Sequence, residues 1–174
     1  GQNWVGTTGG YAIRSQRLKV LAGGPILWRG PNSVYGVNQE AFVTLVNVDT
    51  NGREQDLLLK VQGGSAPDWG KGAIEVLYDA RAGAVRVETF RLRSPAWTIY
   101  ANIPVVFNNG DQLGARALAT GQVEIYKNGV LIGTVTLNAA DQAFFNNRGG
   151  RIGLWFIDAR NSVLDDFGGG TLTP

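Results

Sequence analysis

The sequence predicts an all-β fold, a two-sheet antiparallel β-sandwich, on three observations. Short runs of apolar and strand-forming residues, many of them alternating with polar ones, recur along the whole chain, roughly ten of them, with turn signals between. Glycine is abundant, at 25 of 174 residues, and Val, Ile, Thr and aromatic residues fill the runs between the glycines. One stretch alone, residues 138–145, has a helical pattern, so the packed layers must be sheets.

The expected strands follow in order. YAIRSQRLKVL (11–21) is read as one strand, and 40–48 and 55–62 follow, joined across DTNG at 49–52. Strands at 73–79 and 84–93 meet at ARAG (80–83), and strands at 112–119, 122–127 and 130–137 come next. The last of these pairs is joined by Asn128-Gly129, the preferred two-residue hairpin turn, because a type I′ turn needs positive φ at both central positions. NAADQAFF (138–145) is the helix, with Asn138 placed to cap it. RIGLWFID (151–158) and SVLDDF (162–167) complete the series. Alternation assigns faces: Val123 and Ile125 oppose Glu124 and Tyr126, and Ile74, Val76 and Tyr78 oppose Glu75, Leu77 and Asp79.

Composition narrows the chemistry. The length suits one domain, read as residues 1–170, with 171–174 as a tail or the start of a linker. The chain has no Cys and no His, which removes disulfides, the commonest zinc ligand and any Ser-His-Asp or Cys-His nucleophile. It has no Met either, even at position 1, and is read as a processed or excised piece of a longer protein. No apolar run approaches the length of a membrane span. A formal charge of +2, spread evenly along the chain, suggests neither nucleic acid nor a membrane surface as partner. Arg81, Arg86, Arg91 and Arg93, broken by Glu88, are read as a solvated strand face.

The C-terminal half carries a resemblance. The series NNGDQLGARALATGQVEIYKNGVLIGTVTL, then FFNNRGGRIGLWF, then VLDDFGGG, resembles the concanavalin A-like lectin/glucanase superfamily of laminin G-like jelly rolls. Their marks are a G-D-x-L … Y-x-N-G hairpin, a G-x-I-G-L strand and a closing D-D-F strand. The N-terminal half fits the opening strands less specifically. The resemblance implies a concanavalin A-like jelly roll and a non-catalytic glycan-binding module of a larger secreted protein. The same fold also hosts glycoside hydrolases, polysaccharide lyases and protein-binding domains.

Two features of the closing strands call for chemistry. Asp165 and Asp166 should point to opposite faces, sending one carboxylate toward apolar neighbours, a costly placement unless it is paired or binds a metal. Related jelly rolls hold a structural calcium with an aspartate of this strand, so Ca2+ is the expected partner of the pair, with backbone capping at an exposed strand end as the alternative. Trp155 lies off the parity of Ile152, Leu154 and Phe156, so both faces of its strand are apolar. Sugars stack on such rings while polar neighbours fix their orientation.

On a face reading, Trp155 is the platform, with Tyr126, Glu124 and Arg116 beside it. On an edge reading, the loop aromatics Trp28, Tyr35, Trp69, Trp97 and Tyr100 are the candidates, Trp69 being the most exposed among loop-forming neighbours. Trp4 and Trp28 are expected to plug the sandwich ends. Hydrolysis needs two carboxyls across a glycosidic bond. The local pairs are Glu54 with Asp56, which lack a third acid, and Glu75 with Asp79, which are spaced too far apart. A pair contributed by separate strands is left open. A lyase built on Tyr126 and Arg116 is the other enzymatic alternative.

Overall fold

The computed structural model describes residues 3–30, 34–63 and 68–173. Fourteen strands form among them: β1 (Trp4–Gly6), β2 (Tyr11–Arg14), β3 (Arg17–Val20), β4 (Gly24–Trp28), β5 (Gln39–Asn47), β6 (Glu54–Val61) and β7 (Gly72–Asp79) in the first half. β8 (Ala84–Arg91), β9 (Thr98–Pro104), β10 (Asp111–Ala117), β11 (Gln122–Lys127), β12 (Val130–Thr136), β13 (Arg151–Ile157) and β14 (Val163–Thr171) follow, with helix α1 (Ala139–Phe145) between β12 and β13. They make two seven-stranded antiparallel sheets. The first runs β1-β4-β13-β6-β7-β8-β9, the second β12-β11-β10-β5-β14-β3-β2.

Period-two alternation builds the core between them. Leu57, Leu59, Ile74, Val76, Tyr78, Val85 and Val87 of the first sheet meet Val43, Leu45, Leu113, Ala115, Val123, Ile125 and Leu164 of the second, all buried. Trp4 and Trp28 pack edge to face at one end of this core, beside Phe167, in the plugging role expected of them. Asn138 caps α1 by accepting from the Asp141 N–H at 2.9 Å. Asn128 and Gly129 both have positive φ at the hairpin turn between β11 and β12.

Several expectations change. The strand read at 11–21 is a hairpin, β2 and β3, turning through Ser15 and Gln16 with φ of 49° and 64°. Non-glycine residues do not announce such a turn. DTNG does not close a hairpin: β5 and β6 lie in different sheets, and Asp49 holds the crossing by accepting from the Asn51 and Asn161 N–H groups. The strands β1, β4 and β9 were not expected. Two are edges and the third carries Pro25.

The ordered sheet also passes residue 170. Gly168, Gly169, Gly170 and Thr171 pair with β5, and the Leu172 N–H bonds to the Asn38 carbonyl. Gly169 is required there, because a Cβ would lie 2.2 Å from the Glu40 carbonyl oxygen.

Candidate functional site

The sequence-expected residues fall into four places. Trp155 projects outward from the first sheet, while Arg116, Glu124 and Tyr126 project outward from the second. These surfaces face away from each other, so the face grouping is split. Trp69 and Trp97, expected at an edge, join Trp155. Tyr100 belongs to a different environment: its hydroxyl donates to the buried carboxylate of Asp141, which also accepts from Thr89 and Arg91. The arginine run does not gather either, since Arg86 pairs with Glu88 and Arg91 with Asp141.

The outer face of the first sheet is laid out by its register. One row across the strands reads Pro25, Trp155, Asp56, Leu77 and Arg86; the next reads Leu27, Gly153, Leu58, Glu75 and Glu88. Leu27, Leu58, Val61 and Ala73 form a second small apolar cluster on this side, with Trp155 against it. A bulge at Lys60, φ 47°, puts Val61 back on the outer face two positions after an inward Leu59. The short 3-10 turn at Trp69–Lys71 then brings Trp69 against Trp155. Its ring lies 5.6 Å from Trp97, 5.9 Å from Trp155 and 4.9 Å from Phe90. Trp69 is 36% exposed, so the aromatic group opens to water on its outer side.

Beside these rings lies a carboxyl pair that pairing within one strand does not reveal. Asp56 sits directly across from Trp155, and Glu75 is its diagonal neighbour on β7. Asp56 has no exposed surface and Glu75 has 3%. Both oxygens of Asp56 and Oε1 of Glu75 lack a hydrogen-bond partner among the described residues. Burial raises the Asp56 carboxyl well above its ordinary range, and the nearby Glu75 charge adds to this. Burial likewise pushes Glu75 up to about 8, with Glu88 and Glu54 adding repulsion. Two ionised carboxylates cannot hydrogen-bond each other. A proton held between them turns the pair into a donor and an acceptor. The signal was in the sequence only as two unconnected fragments, Glu54–Asp56 and Glu75–Asp79, because the pairing that joins β6 to β7 is a property of the fold.

The outer face of the second sheet carries a polar groove of about 170 Å3. Arg116 Nε donates to Glu40 at 3.2 Å and its Nη1 to the Tyr126 hydroxyl at 3.3 Å, with the guanidinium 4.9 Å from the Tyr126 ring centre. The Tyr126 hydroxyl donates in turn to Glu124 at 2.6 Å. Glu40 had not been anticipated; it enters because β5 flanks β10 opposite Arg116.

Neither Asp165 nor Asp166, the pair expected to hold calcium, sends its carboxylate toward the core. Alternation breaks at Asp166, whose φ is 47°, and this extra residue lets Leu164 and Phe167 both turn toward the core. Both carboxylates reach the surface. Asp165 pairs with Arg17 at 3.7 Å, and its Oδ1 accepts the Asp166 N–H. Among the described residues no group of three or more acidic side chains is arranged to hold a metal ion.

No family model matches the chain, and no curated protein matches it in sequence. Solved structures do. A carbohydrate-binding module, CBM66, of Bacillus subtilis aligns with a TM-score of 0.67 at 17% identity, covering 97% of this chain and 95% of that one. The fold is a concanavalin A-like jelly roll. Two further jelly rolls align over most of their length. The carbohydrate recognition domain of Emp46p aligns with a TM-score of 0.57 at 12% identity, over 94% of this chain and 85% of that one. The β-agarase B of Zobellia galactanivorans aligns with a TM-score of 0.60 at 12% identity, over 95% and 83%. At these identities the likeness speaks for the jelly-roll architecture, and the site must be argued from its own residues.

Proposed function

We infer that the chain is a non-catalytic carbohydrate-binding module that takes a glycan on the outer face of its first sheet. One observation carries this reading: three of the five tryptophans, from three separate elements, converge on that face, with Trp69 open to solvent. Flat indole faces on a rigid sheet suit the C–H faces of sugar rings, and a preformed platform keeps the entropy cost of binding low. The solved structures that share the fold include modules and recognition domains titled for carbohydrate, which agrees with this reading. A secreted parent protein with further domains is the setting that suits such a module.

The Asp56–Glu75 pair favours a second reading, glycoside hydrolysis. Two carboxyls, one kept protonated at neutral pH, are what acid–base attack on a glycosidic bond requires. Against it, neither acid has meaningful exposure, so a substrate reaches neither without a rearrangement of this face. Affinity electrophoresis on a polysaccharide panel, with reducing ends assayed in parallel, separates the readings. Retardation without new reducing ends is the expected result. Reducing ends that form with the native chain and vanish with Glu75→Gln would establish the hydrolase instead. Absence of both across a broad panel would favour a structural or protein-binding laminin G-like role.

A further inference from the structure

The same strand that presents Trp155 begins with an arginine, two of whose guanidinium nitrogens have no hydrogen-bond partner among the described residues. Arg151, Gly153 and Trp155 share the outer side of β13, so Arg151 lies about 13 Å along the strand from Trp155, a span that a short oligosaccharide bridges. The Nε and Nη1 atoms of Arg151 are shielded from water and have no hydrogen-bond partner among the described residues, while the residue as a whole stays partly exposed. Guanidinium nitrogens held from water without an acceptor carry a cost, which an oxyanion matched to the planar fork relieves.

Arg151 borders a cavity of about 360 Å3 between Tyr35, Gly36, Gln62, Arg148 and Gly150. The cavity is built, not incidental. Tyr35 and Gly150 exchange backbone hydrogen bonds at 2.7 and 3.0 Å, which pin the 34–37 segment against the start of β13. A side chain at Gly149 would collide with the Tyr35 carbonyl oxygen, 2.0 Å from its Cβ position. Gln62 Nε2 donates to the Lys60 and Gly149 carbonyls at 2.7 Å each, fixing the opposite wall. Arg148 adds a second guanidinium, stacked 4.6 Å from the Phe144 ring centre. Lys71 passes the rim beside Gly63 and is paired with Asp68. No acidic residue is among the described residues that line the cavity.

We propose that this cavity is an anion subsite continuous with the tryptophan platform, and that the glycan it selects carries carboxylate or sulfate groups. This rests on the carbohydrate-binding reading and names its substrate class. Arg151 supplies a bidentate fork to the oxyanion and Arg148 the second charge, while the rings hold the neighbouring sugars.

The test compares polygalacturonate oligomers, chondroitin sulfate, neutral galactan and inorganic phosphate by titration calorimetry of the full chain. The expected result is binding to an acidic oligosaccharide that weakens as salt rises. Arg151→Gln should reduce it by about tenfold or more, and Arg148→Gln less, with melting temperatures close to native. Arg151→Lys, which keeps the charge and loses the fork, should fall between. Preference for the uronate or for the sulfated chain identifies the anion, and either supports the proposal. Phosphate binding as strong as that of the oligosaccharides would overturn it in favour of a free-anion site. Neutral galactan bound as well as acidic chains, and unaffected by Arg151→Gln, would overturn it while leaving the platform reading intact. Failure to bind any glycan would overturn the underlying reading as well.

Discussion

Asp56 and Trp155 stand directly opposite each other on β6 and β13, a fully buried carboxyl beside an indole of the aromatic face. The pairing joins the two unusual features of the sheet. The acid is sealed from water beside the aromatic group, and that burial raises its hold on a proton.

Stability should therefore depend on pH in an uncommon direction. Glu75 is raised from 4.5 to about 8 in the folded chain, and Asp56 is raised in the same sense. Between those limits the folded state holds protons that the unfolded state has released, so stability falls as pH rises through the window. The slope is about 1.4 kcal/mol per pH unit for each proton so held. Melting temperatures measured from pH 4.5 to 8 should decline, and Glu75→Gln with Asp56→Asn should flatten the decline. A native curve that rises across this window contradicts the buried protonated pair.

The Asp141 network should be the most sensitive polar point of the fold. Its carboxylate is fully buried and accepts from Thr89, Arg91 and Tyr100 while its own N–H is capped by Asn138. Asp141→Ala strands these donors and should cost roughly 3–5 kcal/mol in denaturant unfolding. Asn138→Ala, which loses only the cap, should cost about 1 kcal/mol. Equal effects would mean that the network contributes little.

Chelation should leave the fold unchanged. Asp165 and Asp166 lie at the surface, and the Asp165–Arg17 pair is the exposed kind that contributes less than about 1 kcal/mol. Thermal melts with excess calcium and with chelator should coincide, and Asp166→Gly, at a left-handed φ, should be neutral or slightly stabilising. A melt that shifts on chelation would restore the metal expected from the Asp-Asp motif.

How much of this was legible in the sequence follows from the range of each signal. Local signals held: Asn128-Gly129 turned where expected, Asn138 capped its helix, and Val123 and Ile125 faced inward. Signals spread across strands did not. Trp69, Trp97 and Trp155 meet because β13, the 92–97 segment and the 3-10 turn converge on one sheet, which no spacing along the chain records. Asp56 and Glu75 were read with their sequence neighbours, and the register that makes them a pair lies between β6 and β7. The alternation assumed for Asp165 and Asp166 gave way on a local matter, a positive φ at a non-glycine residue.

Loss of aromatic surface should separate binding from folding. Trp69→Ala should weaken glycan retention while leaving the core intact, since its ring lies outside the main cluster. Trp4→Ala should do the reverse, destabilising by about 3 kcal/mol through its packing with Trp28 and Phe167. Retention lost with Trp4 and kept without Trp69 would relocate the site to the sandwich end.

The most direct test sets the two outer faces against each other. Using whichever polysaccharide the native chain retains, its affinity is measured for Trp155→Ala and for Arg116→Ala, one from each sheet. A loss of about tenfold or more is expected with Trp155→Ala, the scale of one stacked ring, and near-native binding with Arg116→Ala. Loss with Arg116→Ala and none with Trp155→Ala would contradict that expectation and place the glycan in the Arg116–Tyr126 groove.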